Sequence, residues 1–134
     1  MRNPIVIDGR EIASKVKMEV KSKVKFLNDN QQSVRLDAIL VGGDQGGKIY
    51  AKNQAQACDK VGMKYCLHEL DSSIKESEVL DLISKLNKDE RVTGLMVHMP
   101  LPKHLDAAAI QSAISVSKDV EGVNPANIGN VVFG

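Results

Sequence analysis

Two spacing patterns of apolar residues alternate along the chain. Between Gly9 and Asn28, Ile12, Val16, Val20, Val24 and Leu27 recur at steps of four, four, four and three. That period draws one apolar stripe down a helix and leaves Lys15, Lys17, Lys21, Lys23 and Lys25 largely on other faces. A short extended Ile-Val-Ile-Asp (residues 5–8) precedes it. Leu36 to Val41 is instead a short apolar run that stops at Gly42-Gly43, as a buried strand does. Tyr50 to Lys60 reads as a second helix, with Ala51, Ala55 and Cys58 small along one side and Gly62 as its stop. Met63 to Leu70 fits another strand. Ser73 to Asn87 carries Ile74, Val79, Leu82, Ile83 and Leu86 as a helical stripe, and Ser73 with Glu76 has capping-box spacing. Val92 to Met99 is a third strand, ended by Pro100 and Pro102, and Asp106 caps a short Ala-rich helix reaching about Ile114.

Strands alternating with helices of this length predict an α/β fold: a three-layer α/β/α arrangement with a mainly parallel sheet covered on both faces. Residues 1–134 read as one domain, since no repeat, low-complexity stretch or linker divides them. In such sheets ligands bind outside the carboxyl ends of the strands. Three segments fall at that rim: Gly42 to Tyr50, His98 to Pro102, and the stretch around Lys118 to Gly122.

Composition narrows the function classes. The 134 residues include 18 Lys+Arg against 17 Asp+Glu, a net charge of +1. That near balance gives no basic excess for nucleic acid, and the Lys-rich helix is most simply a solvated face. No apolar run approaches the ~18 residues of a membrane span, and no secretory signal opens the chain, so the cytoplasm is the default compartment. Cys58 and Cys66 form neither a metal-binding spacing nor a disulfide framework, and no metal is expected.

Gly42, Gly47 and Lys48 fit G-x-x-x-x-G-K between a strand and a helix, where a phosphate-binding loop would lie. The next residue is Ile49, which has no hydroxyl for Mg²⁺. The strand Val92 to Met99 ends in His98 and Met99 rather than a metal-positioning Asp. Nucleotide hydrolysis is therefore a poor reading of this loop.

Read together, IDGREIASKV, ILVGGDQGGKIYAKNQAQACDKVGM, VTGLMVHMPLPKHLD and SKDVEGVNPANIGNV resemble the N-terminal, folate-binding catalytic domain of the methylenetetrahydrofolate dehydrogenase/methenyltetrahydrofolate cyclohydrolase family. The resemblance covers essentially the whole chain, in the family's order and spacing. It implies a substrate, 5,10-methylene- or methenyl-tetrahydrofolate, and a Tyr, Lys, Gln and Asp around it. The Tyr is matched as Tyr50. The Lys four residues later is Gln54, the Ser three residues before the Tyr is Gly47, and the Gln of Gln-Leu-Pro-Leu-Pro is His98. Lys-Asp-Val-Asp-Gly reads Lys118-Asp119-Val120-Glu121-Gly122. The resemblance thus implies Tyr50, Gln54 and His98 as the catalytic positions. Those three with Met99, Pro100, Leu101, Asp119 and Glu121 are the substrate-binding ones.

Family chemistry gives these departures meaning. Hydride removal from the one-carbon bridge is a positioning task, whereas water attack on the resulting methenyl cation needs protons moved. The resemblance assigns that second step to the Lys. Gln54 keeps the length but cannot exchange a proton near neutral pH, and Lys52 points to another helix face. Impaired cyclohydrolase activity is expected, with His98 the one obvious compensator. Family members continue into a domain that binds NADP or NAD, and they are usually dimeric. This chain contains no G-x-G-x-x-G with a following acidic residue, so the dinucleotide is not expected on this domain. The alternative reading is a catalytically degenerate folate-binding or interaction module.

Overall fold

The computed structural model describes residues 6–134, so Ile5 of the expected extended entry lies outside it. Three parallel strands make the sheet: β1 (Arg35–Val41) in the centre, β2 (Lys64–Leu70) on one side and β3 (Gly94–Val97) on the other. The register pairs Arg35 with Lys64 through Val41 with Leu70, and Leu36 with Gly94 through Ile39 with Val97. With every strand parallel, their carboxyl ends share one rim. The segment after the last short helix adds an edge there, with Leu95 bridged to Asp119 and the Leu95 N–H donating to the Lys118 carbonyl at 2.8 Å.

Side chains alternate across β1, so the central strand feeds two cores. Ile39 and Val41 join Leu95 and Val97 beneath α3 (Glu76–Lys88) and α4 (Ala107–Ala113), where Val79, Ile83, Leu86 and Ile110 cover them. Leu36 and Ala38 join Met96 on the other face, against Cys58 of α2 (Gln45–Val61). The three-layer arrangement follows directly. Asp106 caps α4 by accepting from the Ala108 and Ala109 amides, and Gly62 ends α2 in the left-handed conformation at φ 83°.

Several boundaries differ from the sequence expectation. α2 begins at Gln45, five residues before Tyr50, because the Asp44 carboxylate accepts from the Gly47 amide at 2.7 Å and draws the glycine pair into the first turn. α3 begins at Glu76. Ser73 instead closes a turn on Asp71, and Glu78 accepts from the Lys75 amide, so the Ser73–Glu76 box does not form. Glu76 reaches across to the Asp106 amide at 2.7 Å. In α1 (Gly9–Asp29) the stripe is mostly not a core face: Val24 is buried beside Gly62, whereas Ile12 and Val16 are each 52% exposed. The lysines of α1 are solvated as expected, two of them in i,i+4 pairs with Glu11 and Asp29. A fifth helix, α5 (Pro125–Phe133), is absent from the reading of the apolar pattern; Asn124 caps it and Pro125 opens it.

Gly94 has a specific task in this frame. A Cβ there would stand 2.5 Å from Val120 Cγ1, so the missing side chain is what lets the 118–122 segment lie against β3. Gly94→Val should cost about 1–3 kcal/mol through overpacking. Urea unfolding reads that cost, and faster deuterium exchange at the Leu95 amide reports the segment's release.

Candidate functional site

The rim cleft is built from three segments. The first turns of α2 supply Gly46, Gly47 and Tyr50, the end of β3 supplies Met96, Val97, His98 and Met99, and the turn after Val120 supplies Glu121. These residues enclose about 380 Å³. A contiguous cleft of about 440 Å³ shares Gly46, Gly47 and Met99 and is walled by Leu40 to Asp44 and by Pro100, Leu101 and Pro102. Both lie beyond the carboxyl ends of β1 and β3, where the topology predicts a ligand. The Met99–Pro100 peptide is cis, and the chain turns there along the cleft wall.

Tyr50 is 58% exposed and meets His98 edge to face, ring centroids 5.5 Å apart at 84°. An open aromatic face beside a buried imidazole suits a flat heterocycle on one side and a directed polar contact on the other. His98 extends β3, its amide donating to the Ile39 carbonyl at 2.8 Å. Its side chain is 6% exposed, and Nε2 is buried without a hydrogen-bond partner among the described residues. Burial holds the imidazole pKa below its ordinary value and so favours the neutral ring. A buried orphaned nitrogen is costly unless something bonds to it.

Gln54 sits one helical turn below Tyr50 on the same side of α2 but does not line the cleft. Its Oε1 accepts from the Tyr65 hydroxyl at 2.9 Å, and Nε2 lies 2.9 Å from Met96 Sδ. Both ends of the amide are engaged by the protein, behind the Met96 wall. Burial pushes the Tyr65 hydroxyl up to about 12, so it remains a donor to Gln54 throughout the neutral range.

Asp119 also stands back from the cleft. It accepts from the Glu121, Gly122 and Asn124 amides and from Asn127 Nδ2, an arrangement that ties the turn together. Burial raises its carboxyl, but the bonds from Asn127, Asn124 and their neighbours outweigh that and hold it below the ordinary range. Glu121 is the carboxylate that reaches the cleft. Partial desolvation pushes its pKa up, and the nearby Asp119 charge adds to this. The turn therefore divides its acids into one that shapes the loop and one that lines the cleft.

Tyr50, His98, Met99 and Glu121 thus share one cleft, Pro100 and Leu101 wall the adjoining one, and Gln54 and Asp119 support them from behind. Gly46, Met96 and Val97 also line the cleft, beyond the residues that the motifs point to. Met96 is legible as an inward position near the end of a strand, whereas Gly46 carries no signal beyond its glycine loop. Of the other histidines, His104 bonds the Ile74 carbonyl at 2.9 Å, away from the cleft. At the helix N-terminus of this loop the Asp44 carboxylate already accepts from the Gly47 amide. Among the described residues, no helix is long and apolar enough to cross a membrane.

Residues 7–121 match the catalytic domain of tetrahydrofolate dehydrogenase/cyclohydrolase. The chain is 40% identical over 129 residues to the bifunctional protein FolD of Moorella thermoacetica, covering 96% of this chain and 46% of that protein. It is 41% identical over 130 residues to the FolD of Magnetococcus marinus, covering 96% and 46%. It superimposes on the FolD methylenetetrahydrofolate dehydrogenase/cyclohydrolase of Campylobacter jejuni with a TM-score of 0.92 at 37% identity, covering 94% of this chain and 45% of that one. The Trypanosoma brucei enzyme, solved with NADP and an inhibitor, gives 0.89 at 26% identity over 98% of this chain and 45% of that one. The chain therefore spans about half the length of the relatives it matches. On its fold, its rim segments and these matches, the chain belongs to the tetrahydrofolate dehydrogenase/cyclohydrolase family.

Proposed function

We propose that this chain is the folate-binding half of an NAD(P)-dependent methylenetetrahydrofolate dehydrogenase/cyclohydrolase, and that its cyclohydrolase step is impaired. The observation that carries the reading is the cleft itself: an open Tyr50 face, the His98 ring and Glu121 all line it. Tyr50 packs against the reduced pterin. The His98 ring lines the cleft beside the ligand, and Glu121 accepts from the amino end of the heterocycle, one methylene displaced from the family's Asp. Met99, Pro100 and Leu101 form the apolar wall, and Asp119 holds the turn that presents Glu121.

Water attack on a methenyl carbon needs a group that gives and takes a proton, worth typically ~10²–10⁴-fold in rate. Gln54 cannot supply it, and Gly47 offers no hydroxyl. His98 is the remaining titratable ring, and its buried, neutral state suits a hydrogen-bonding role. A second reading, a binding module without turnover, is favoured by the way Tyr65 and Met96 hold both ends of Gln54.

The resemblance assigns the dinucleotide to protein length beyond the matched half, and the Asp44 cap speaks against a pyrophosphate here. Homodimer assembly rests on the family resemblance. A cytoplasmic place is supported by two free cysteines, and the absence of nucleic-acid partners by a net charge of +1.

Calorimetric titration with methenyl-tetrahydrofolate tests the cleft: one saturable site is expected, weakened in Tyr50→Ala and Glu121→Gln, and no binding would remove the proposal. Gln54→Lys should then raise methenyl hydrolysis by at least about tenfold over the natural chain. Equal rates would count against the amine's role, and turnover by the unaltered chain at rates typical of the full reaction would count against impairment. His98 gives a third expectation. Its folded pKa lies below the unfolded value of ~6.5, so the unfolded chain binds the extra proton. Its stability contribution is complete above ~6.5 and is lost as pH falls below that value. Unfolding free energies at pH 7.5 and 5.5, compared with those of His98→Gln, should show a smaller acid loss in the variant.

A further inference from the structure

Away from the rim cleft, three chemically different donors meet where the edge strand β2 pairs with the central β1. Asp37 of β1 and Cys66 of β2 are register partners, and His68 is two residues further along β2 on the same face. One donor atom from each lies within 4.8 Å of the others. Asp37 is fully buried, its Oδ2 2.8 Å from His68 Nε2, whereas Cys66 and His68 are partly open to solvent. None of the three lines the folate cleft.

We propose that Asp37, Cys66 and His68 form a binding site for a divalent ion of the zinc class. Thiolate, imidazole and carboxylate on one centre is a donor set that suits Zn²⁺ or Co²⁺ and not Mg²⁺ or Ca²⁺. The spacing is near what tetrahedral coordination needs. Bonds of ~2.0 Å to oxygen and nitrogen and ~2.3 Å to sulfur put N and O about 3.3 Å apart, and S about 3.5 Å from either. The 2.8 Å contact between Asp37 and His68 must open by about 0.5 Å, and the other two separations exceed their targets by no more than ~1.3 Å. His68 and Cys66 stand on the edge strand, where such an adjustment disturbs little packing.

Arg35 takes part from behind. It grips Asp37 through Nε to Oδ1 at 2.6 Å and through a terminal nitrogen to Oδ2 at 2.7 Å, which fixes the carboxylate plane. Each carboxylate oxygen has two lone-pair directions, so Oδ2 can keep that bond and turn its second toward an ion, in place of the proton now shared with His68. Asp89 lies 4.0 Å from the same guanidinium and offsets part of its charge. Binding releases the Cys66 thiol proton to solvent and displaces the proton between His68 Nε2 and Asp37; in the neutral ring that proton passes through solvent to Nδ1, which frees the Nε2 lone pair for the ion. Water completes the fourth position. The ion would clip β2 to β1 near the middle of their pairing, independent of folate.

Cobalt(II) titration of the metal-free chain reads this site directly. One equivalent should bind with a thiolate-to-cobalt charge-transfer band and the intense visible bands of a tetrahedral ion, both bleached by added Zn²⁺. Cys66→Ser should abolish the charge-transfer band and His68→Gln should weaken binding more than about tenfold, while Cys58→Ser should change neither. Where Cys66→Ser fails to fold, the loss of affinity in His68→Gln decides the matter. No thiolate band, a band that survives Cys66→Ser, unchanged affinity in His68→Gln, or binding only at millimolar cobalt would overturn the proposal.

Discussion

The parallel pairing of β1 between its two neighbours is the constraint on which the rest of the molecule depends. β1 is buried on both faces: Ile39 and Val41 contribute to the α3/α4 core, Leu36 and Ala38 to the α2 core, and Leu40 lies under the Gly43 and Gly47 backbone. A one-residue slip would exchange the two sets and drive Asp37 into the wrong layer. The same register aligns the carboxyl ends of the strands. Loops leaving Val41 and Val97 are thereby forced side by side, and the cleft is the space between them. Its position is a consequence of strand direction before any side chain is chosen.

Side chains then specialise that space. A bare Gly94 admits the 118–122 turn, Asp119 binds the turn's amides, and Glu121 is left over at the lip. Tyr50 and His98 come from different layers and meet edge to face. Each polar group in the cleft is therefore positioned by an element whose own stability lies elsewhere. The buried His98 Nε2 is the exception, a nitrogen without a hydrogen-bond partner among the described residues.

Much of this is legible in the chain. Runs such as Leu36–Val41 and stripes such as Val79, Ile83 and Leu86 state their burial through period alone, and Gly62 and Asp106 mark ends through well-understood backbone chemistry. Where sequence and structure part, the causes are physical too. Two glycines in succession suggest loop, yet Asp44 caps them into α2, because a carboxylate on an N-terminal amide outweighs glycine's weak helix propensity over a single turn. Ile12 and Val16 keep helical spacing but meet no opposing face within the described residues, and period cannot reveal what lies opposite. For α5 the Asn124-Pro125 start is a readable signal, obscured by a search for amphipathic stripes. Tyr50, His98 and Glu121, which the motifs single out, line one cleft. Motif spacing cannot tell that Gln54 and Asp119 turn their polar atoms toward the protein, since that depends on the partners Tyr65 and Asn127.

The tether between Gln54 and Tyr65 limits what position 54 can hold. A protonated lysine there has no lone pair for the Tyr65 hydroxyl, so Gln54→Lys would strand a partly buried donor, at about 1–3 kcal/mol of stability. Removing that hydroxyl as well would lift the penalty. The two positions are coupled: what one tolerates is set by the occupant of the other.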